Sequence, residues 1–203
     1  MADLSQFLLK ILCLIVSIVL HEIGHGLMAY VFGDRTAQQA GRLSANPFSH
    51  IDPLGSLVLP FLLFVTNAPF LIGWAKPVPV NFTNLRPQTL GVFLVAFAGP
   101  LTNIILALFA GILWKIGIFN DETMNTAVQI NVILAAFNLL PILPLDGGRI
   151  VTCFLSQSHP IFHFFERFGL LIIIGALTLF NSFFHKIIFI IANIILNFLN
   201  KLI

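Results

Sequence analysis

The chain has 203 residues, 58% of them hydrophobic and 9% charged, against about 25% charged in an ordinary soluble domain, so a water-soluble globule is excluded. A net charge of +2, from 10 basic and 8 acidic residues, is too small and too scattered for a nucleic-acid surface. A transmembrane β-barrel is excluded as well, because its strands alternate apolar and polar over about 10 residues, whereas Leu170 to Leu179 is apolar at nearly every position.

Apolar segments run from Leu4 to Phe32, Leu54 to Trp74, Leu90 to Ile118, Ala127 to Leu143, Phe164 to Phe180 and Phe183 to Ile203. At about 20 residues per crossing they predict an all-α polytopic membrane protein. The stretches between them are short and no internal repeat is present, which predicts a single domain over 1–203, with its core at 5–149 and C-terminal helices at 164–203. The first segment has no basic start and no small-residue cleavage site, so it reads as a retained helix. Cys13 and Cys153 form no disulfide framework.

Inside the first segment stands His21-Glu22-Ile23-Gly24-His25. On a helix, positions i and i+4 share one face a turn apart, so both imidazoles can reach one Zn²⁺, and Glu22 beside them can take a proton from the metal's water. An acidic side chain at mid-helix in lipid costs about 2.5 kcal/mol or more, so its presence there points to function rather than chance. A catalytic zinc takes three protein ligands. No further His follows on this helix, and Asp146 is the candidate third ligand: Pro141 and Pro144 break the fourth segment near its end, and Gly147 and Gly148 let the backbone turn. A helix-end carboxylate paired with Arg149 is the other reading of Asp146.

His50, in the loop beside Asp52, is a candidate polar lid over the site or a structural imidazole. Gly99 and Asn103 form a small-x-x-x-polar pattern that predicts close helix packing rather than catalysis. His159 and His163 are four apart, but Pro160 suits the first helical position and leaves His159 outside it. His185 has no partner nearby. Asn193, Asn197 and Asn200 line one face of the last segment, a packing stripe between helices or protomers.

Together the blocks His21-Glu22-x-x-His25, Asn46 to Gly55, Gly73 to Asn81, Ala98 to Asn103 and Asn138 to Arg149 resemble the site-2 protease family of intramembrane zinc metalloproteases, in a minimal form without a PDZ-like domain. The resemblance implies one Zn²⁺ held by His21, His25 and Asp146, with Glu22 as general base and acid. The implied reaction is hydrolysis of a peptide bond within a substrate's transmembrane helix. It implies for Asn138 a contact to substrate or oxyanion, for which interhelical hydrogen bonding is the alternative; His50 is a second candidate for such a contact. The implied partners are a membrane-anchored protein substrate, a regulatory protein by analogy, and the lipid bilayer.

A shared metal places His21, His25 and Asp146 at one depth, which demands an even number of crossings between the two helix ends. Leu90 to Ile118 and Ala127 to Leu143 supply two, so Leu54 to Trp74, interrupted at Thr66-Asn67-Ala68-Pro69, is predicted to re-enter rather than span. Five spans and one re-entrant hairpin result. Arg35, Arg42, Lys76, Arg86, Arg149, Arg167 and Lys201 then share one side, and Lys115, Lys186 and Lys10 the other. The positive-inside rule places the site near the cytoplasmic face, with the N-terminus outside; a bacterial cytoplasmic membrane is the expected location. A metal transporter would show several sites or repeated halves, and a silent scaffold would tolerate loss of Glu22; these are the alternatives to a protease.

Overall fold

Leu4, Leu8, Leu12 and Val16 recur every four residues and stand exposed along one side of the first helix, while Leu14, Ser17 and His21 lie buried on another. That division makes α1 (Leu4–Val31) a helix with an apolar outer face suited to lipid and an inner face carrying polar groups. The computed structural model describes residues 4–44, 46–50, 52–66, 76–118, 121–154, 164–165, 168–169, 172–173, 175 and 181–203. Helix α1 stops at Gly33, whose φ of +100° is a left-handed conformation open to glycine; there the Asp34 N–H bonds Ala29 O at 2.9 Å.

A compact stretch follows, with α2 (Thr36–Gln39), a tight turn at Pro47–Ser49, and a widened helical turn at Pro53–Val58 that runs into α3 (Leu59–Val65). Asp52 caps that turn by accepting from Leu54 N at 3.0 Å and Gly55 N at 2.8 Å. After the extended residues 76–81, the chain comes back to its starting level: Arg86 N donates to Phe32 O at 2.9 Å. The whole excursion between α1 and the next long helix therefore begins and ends at the same end of the bundle.

Helices α4 (Gln88–Lys115) and α5 (Asp121–Asn138) form a hairpin packed against α1. His21 meets Asn103 while His25 meets Val95, so α1 and α4 run antiparallel. Their crossing is close because small residues face each other: a Cβ on Gly24 would press on Ala98 O and the Thr102 side chain. The turn 139–145 leads into α6 (Asp146–Thr152), and α7 (Asn181–Leu202) closes the bundle. Ala107, Val132, Ala135, Ala136, Ala192, Ile195 and Leu199 make the core shared by α4, α5 and α7.

Among the described residues, three helices, Leu4–Val31, Gln88–Lys115 and Ser182–Leu202, are long and apolar enough to cross a membrane. Every regular element among the described residues is helical. The fourth apolar segment differs from its expected bounds, because its helix starts at Asp121 and ends at Asn138, before Pro141 and Pro144. His159, His163 and Arg167 lie outside the described residues, as do residues 67–75 of the expected hairpin and much of Phe164 to Phe180. In α7, Asn197 and Asn200 are exposed, Asn193 is half-buried and His185 is exposed.

Candidate metal centre

His21 and His25, one turn apart on α1, present perpendicular rings with centroids 4.6 Å apart. Each ring is held from behind by α4. His21 Nδ1 lies 2.6 Å from Asn103 Oδ1, and His25 Nδ1 lies 2.7 Å from Val95 O. A backbone carbonyl only accepts, so His25 must carry its proton on Nδ1; the amide oxygen of Asn103 demands the same of His21. In the neutral ring each Nε2 is then the bare lone pair, the form in which imidazole binds metal.

Those two Nε2 atoms are 3.1 Å apart, and with both protons on Nδ1 neither has a hydrogen to give the other. Asp146 completes the group, with Oδ2 3.2 Å from His21 Nε2 and Oδ1 3.3 Å from His25 Nε2. Asp146 Oδ2 is buried and makes no hydrogen bond of acceptable geometry. Two lone pairs and an under-bonded buried carboxylate converging within 4.8 Å form a repulsive set that a cation resolves, and the N₂O donor set suits zinc. Gly99 makes room for the set. A Cβ there would sit 2.6 Å from His21 Nε2, 2.5 Å from His21 Cε1 and closer still to His25 Nε2.

Asp146 reaches this point as the first residue of α6, after the broken turn 139–145. A side chain at Gly147 or Gly148 would collide with the backbone of Leu139, Leu140, Ile142 or Leu143, so the paired glycines let α6 fold tightly against the turn that precedes it. The Asp146 carboxylate faces the two imidazoles, while the Arg149 guanidinium lies over the Phe82 ring, 4.6 Å from its centroid.

Glu22, on the same helix as the two imidazoles, accepts at Oε2 a 2.7 Å hydrogen bond from Val78 N. The partly extended 76–81 strap thus crosses α1 beside the centre, and Asn81 N anchors its far end to Asp34 Oδ2 at 2.7 Å. Arg42 ties the near end, donating to Lys76 O at 3.0 Å, Pro77 O at 3.2 Å and Ser49 O.

His50 is fully buried in the same assembly, with Nε2 2.8 Å from Ser44 O and its own carbonyl accepting from Lys76 N at 2.8 Å; its Nδ1 makes no hydrogen bond. It has no contact with the three convergent groups among the described interactions. Asn138 turns back on its own helix, donating Nδ2 to Leu134 O at 3.0 Å, rather than bridging to another.

Sequence reading did not find Val78 or Arg42, and it assigned Gly99 and Asn103 to packing alone. In the structure those two pack directly on the imidazoles. The signal that could have found Val78 is the Pro77-Val78-Pro79 alternation, which leaves one N–H donor among three residues.

Comparison with known proteins points in one direction. A model of peptidase family M50 matches residues 113–180. Over 153 residues the chain is 39% identical to "Putative zinc metalloprotease YwhC" of Bacillus subtilis, covering 70% of this chain and 66% of that one. It is 32% identical over 159 residues to "Putative zinc metalloprotease Rip2" of Mycobacterium tuberculosis, covering 72% and 57%. The "Zinc metalloprotease MJ0392" of Methanocaldococcus jannaschii is 26% identical over 149 residues, with 72% and 34% covered. The chain spans between about a third and two thirds of the length of these relatives. No solved structure matches it.

Proposed function

Because the chain belongs to peptidase family M50, the site-2 protease family, we propose that it is a zinc-dependent endopeptidase that cuts a peptide bond within or near the transmembrane helix of a membrane-anchored substrate. The observation that carries this reading is the convergence of His21, His25 and Asp146 with Glu22 on the same helix. His21 Nε2, His25 Nε2 and Asp146 would hold one Zn²⁺, whose chemistry when bound would be to acidify water and polarise the scissile carbonyl.

The protein's own groups do the rest. With Oε2 engaged by Val78 N, Glu22 keeps Oε1 free to take a proton from the attacking water and return it to the leaving amide nitrogen. His21 and His25 keep their protons on Nδ1, locked by Asn103 and Val95, so their orientation does not drift during turnover. A helical substrate hides its amides, so it must unwind before it reaches Glu22; the 54–81 segment, whose strap touches Glu22 directly, serves as gate or as a surface for the extended substrate. Asn138 and His50 are the candidates for substrate or oxyanion contact, with Asn138 Nδ2 engaged by Leu134 O and His50 Nε2 by Ser44 O while His50 Nδ1 is unbonded.

Five spans with 54–74 re-entrant, the site nearer the cytoplasm and the N-terminus outside complete the proposal, in a bacterial cytoplasmic membrane. The return of the chain from Phe32 to Arg86 at one level supports the even crossing count. Single cysteines at Asn67 and Gln88, in a background lacking Cys13 and Cys153, test it: labelling of both from outside refutes this topology.

Glu22→Gln tests the activity. A protease retains zinc and loses cleavage by about 10²- to 10⁴-fold, the range for a general acid–base group. A transporter retains part of its metal flux, and a scaffold is unaffected; either outcome removes the protease reading.

A further inference from the structure

Behind the His21 imidazole lies a chain of buried amides that ends on the backbone of α5. Asn131 Nδ2 donates to Ala127 O at 2.9 Å, Asn131 Oδ1 accepts from Asn103 Nδ2 at 2.9 Å, and Asn103 Oδ1 accepts from His21 Nδ1 at 2.6 Å. Asn131 is only 4% exposed and Asn103 is fully buried, so no solvent competes for these groups.

Read from its far end, the chain allows one arrangement. Ala127 O can only accept, so the Asn131 atom facing it is the amide nitrogen. The other Asn131 atom is then the oxygen, which requires the nitrogen of Asn103 opposite it. Asn103 is left with its oxygen toward His21, which places a proton on His21 Nδ1 and, in the neutral ring, the lone pair on Nε2. We infer that Asn131 is a positioning residue for the metal centre, holding the Asn103 amide in the one orientation that presents His21 Nε2 unprotonated. The inference rests on the zinc reading of His21, His25 and Asp146 given above.

Without Asn131 the Asn103 amide has little to hold it. The remaining partner of its nitrogen, Ser17 O, is 3.4 Å away, at the limit of a hydrogen bond, and already serves the i+4 amide of its own helix. A rotated Asn103 would offer Nδ2 to His21 Nδ1, forcing the proton onto Nε2, where it blocks a metal. Packing alone does not account for Asn131: it is buried on α5, where an apolar residue would avoid the cost of burying an amide.

The test is zinc affinity of the full chain in detergent, read by competition with a chromophoric chelator. Asn131→Leu should weaken zinc binding about tenfold, the lower end of the range for groups behind a metal ligand. Asn131→Asp keeps an oxygen facing Asn103 Nδ2 and should bind zinc close to the native level. Asn103→Asp offers an oxygen to His21 in either rotamer, so adding Asn131→Leu to it should leave affinity where Asn103→Asp alone puts it. If Asn131→Leu does not fold, Asn131→Ala takes its place with the same expectation.

Native affinity in Asn131→Leu overturns the inference, as does equal weakening by Leu and Asp or an additive loss in the double variant. His21→Ala separates this failure from that of the zinc reading. If it abolishes zinc binding while Asn131 variants do not matter, only the role of Asn131 falls; if it leaves affinity unchanged, the zinc reading falls with it.

Discussion

Glu22 Oε2 and the Val78 N–H are joined by a 2.7 Å hydrogen bond across 56 residues of sequence, tying the acidic residue of the first helix to a strap that crosses beside it. Pro77 and Pro79 carry no N–H, so Val78 supplies the one backbone donor among these three residues. A hydrogen bond to a charged group contributes about 1.5–3 kcal/mol, and loss of that much orienting energy corresponds to roughly 10- to 100-fold in rate. Val78→Pro should therefore lower cleavage of a single-span substrate by that factor with zinc content unchanged, while Val78→Ala, which keeps the donor, stays near native. Undiminished cleavage in Val78→Pro would show that the strap does not hold Glu22 for catalysis.

Gly99 is the floor on which both imidazoles rest. Because a Cβ would intrude to 2.6 Å from His21 Nε2 and 2.5 Å from its Cε1, Gly99→Ala must push the rings off their present positions or part α1 from α4. Overpacking of this kind costs about 1–3 kcal/mol. Zinc stoichiometry measured on the purified variant should fall well below one per chain while the helical circular dichroism signal persists. Full zinc occupancy would mean that the rings can shift and still bind.

Asp34, fully buried beyond the end of α1, gives a pH signature. Burial pushes its carboxyl upward, but hydrogen bonds from Thr36 Oγ1 at 2.5 Å, Asn84 Nδ2 at 3.0 Å, Asn81 N at 2.7 Å and Thr36 N at 3.2 Å outweigh burial and hold it below the ordinary carboxylate range. A lowered folded value means that the unfolded chain binds more protons near pH 4. Its stabilisation is thus complete above the unfolded value of about 3.9 and disappears as pH falls through the folded one. Asp34→Asn turns an acceptor into a donor facing donors and should cost about 1–3 kcal/mol. Thermal melts should show a constant gap between native and Asp34→Asn above about pH 5, closing below about pH 4. A gap that widens on acidification would contradict this.

Arg42 fastens two stretches that share no helix. Its guanidinium reaches Ser49 O, Lys76 O and Pro77 O, and the backbone bond from Lys76 N to His50 O lies between them. Lysine cannot span three carbonyls with a planar fork, so Arg42→Lys and Arg42→Ala should both loosen the strap. Hydrogen exchange at residues 44–50 and 76–81 should accelerate about tenfold or more, as for loss of about 1.4 kcal/mol of local stability, with exchange in α4 and α5 unchanged. Unaltered exchange in the strap would assign its position to Asp34 and Glu22 alone.

What the sequence discloses about this site follows the range of the forces involved. His21 and His25 are legible because helical periodicity alone places i and i+4 together, and Asp146 because prolines and glycines mark where a helix must break. Its exact seat was less legible: the prolines and glycines predict a break and a turn around Asp146, whereas Asp146 opens a new helix, α6. Val78 escapes because it acts through its backbone, and a backbone donor leaves no signature in residue type beyond the prolines around it. Asn131 escapes for a different reason. It belongs to a segment with Asn125, Gln129 and other polar residues, among which nothing but the tertiary packing of α4 on α5 singles it out. Close helix packing at Gly99 and Asn103 was expected; that the same contact seats the imidazoles depends on side-chain rotamers that no residue pattern specifies.

The convergence of α1 with α6 has a consequence for how the protein is made. A ribosome delivers His21 and His25 first, the Val95 and Asn103 groups that orient them next, and Asp146 only after both arms of the α4–α5 hairpin have emerged, so for most of synthesis the paired imidazoles lack their third partner. On the zinc reading, the nascent chain holds no complete metal centre until α6 has packed against α1 and α4.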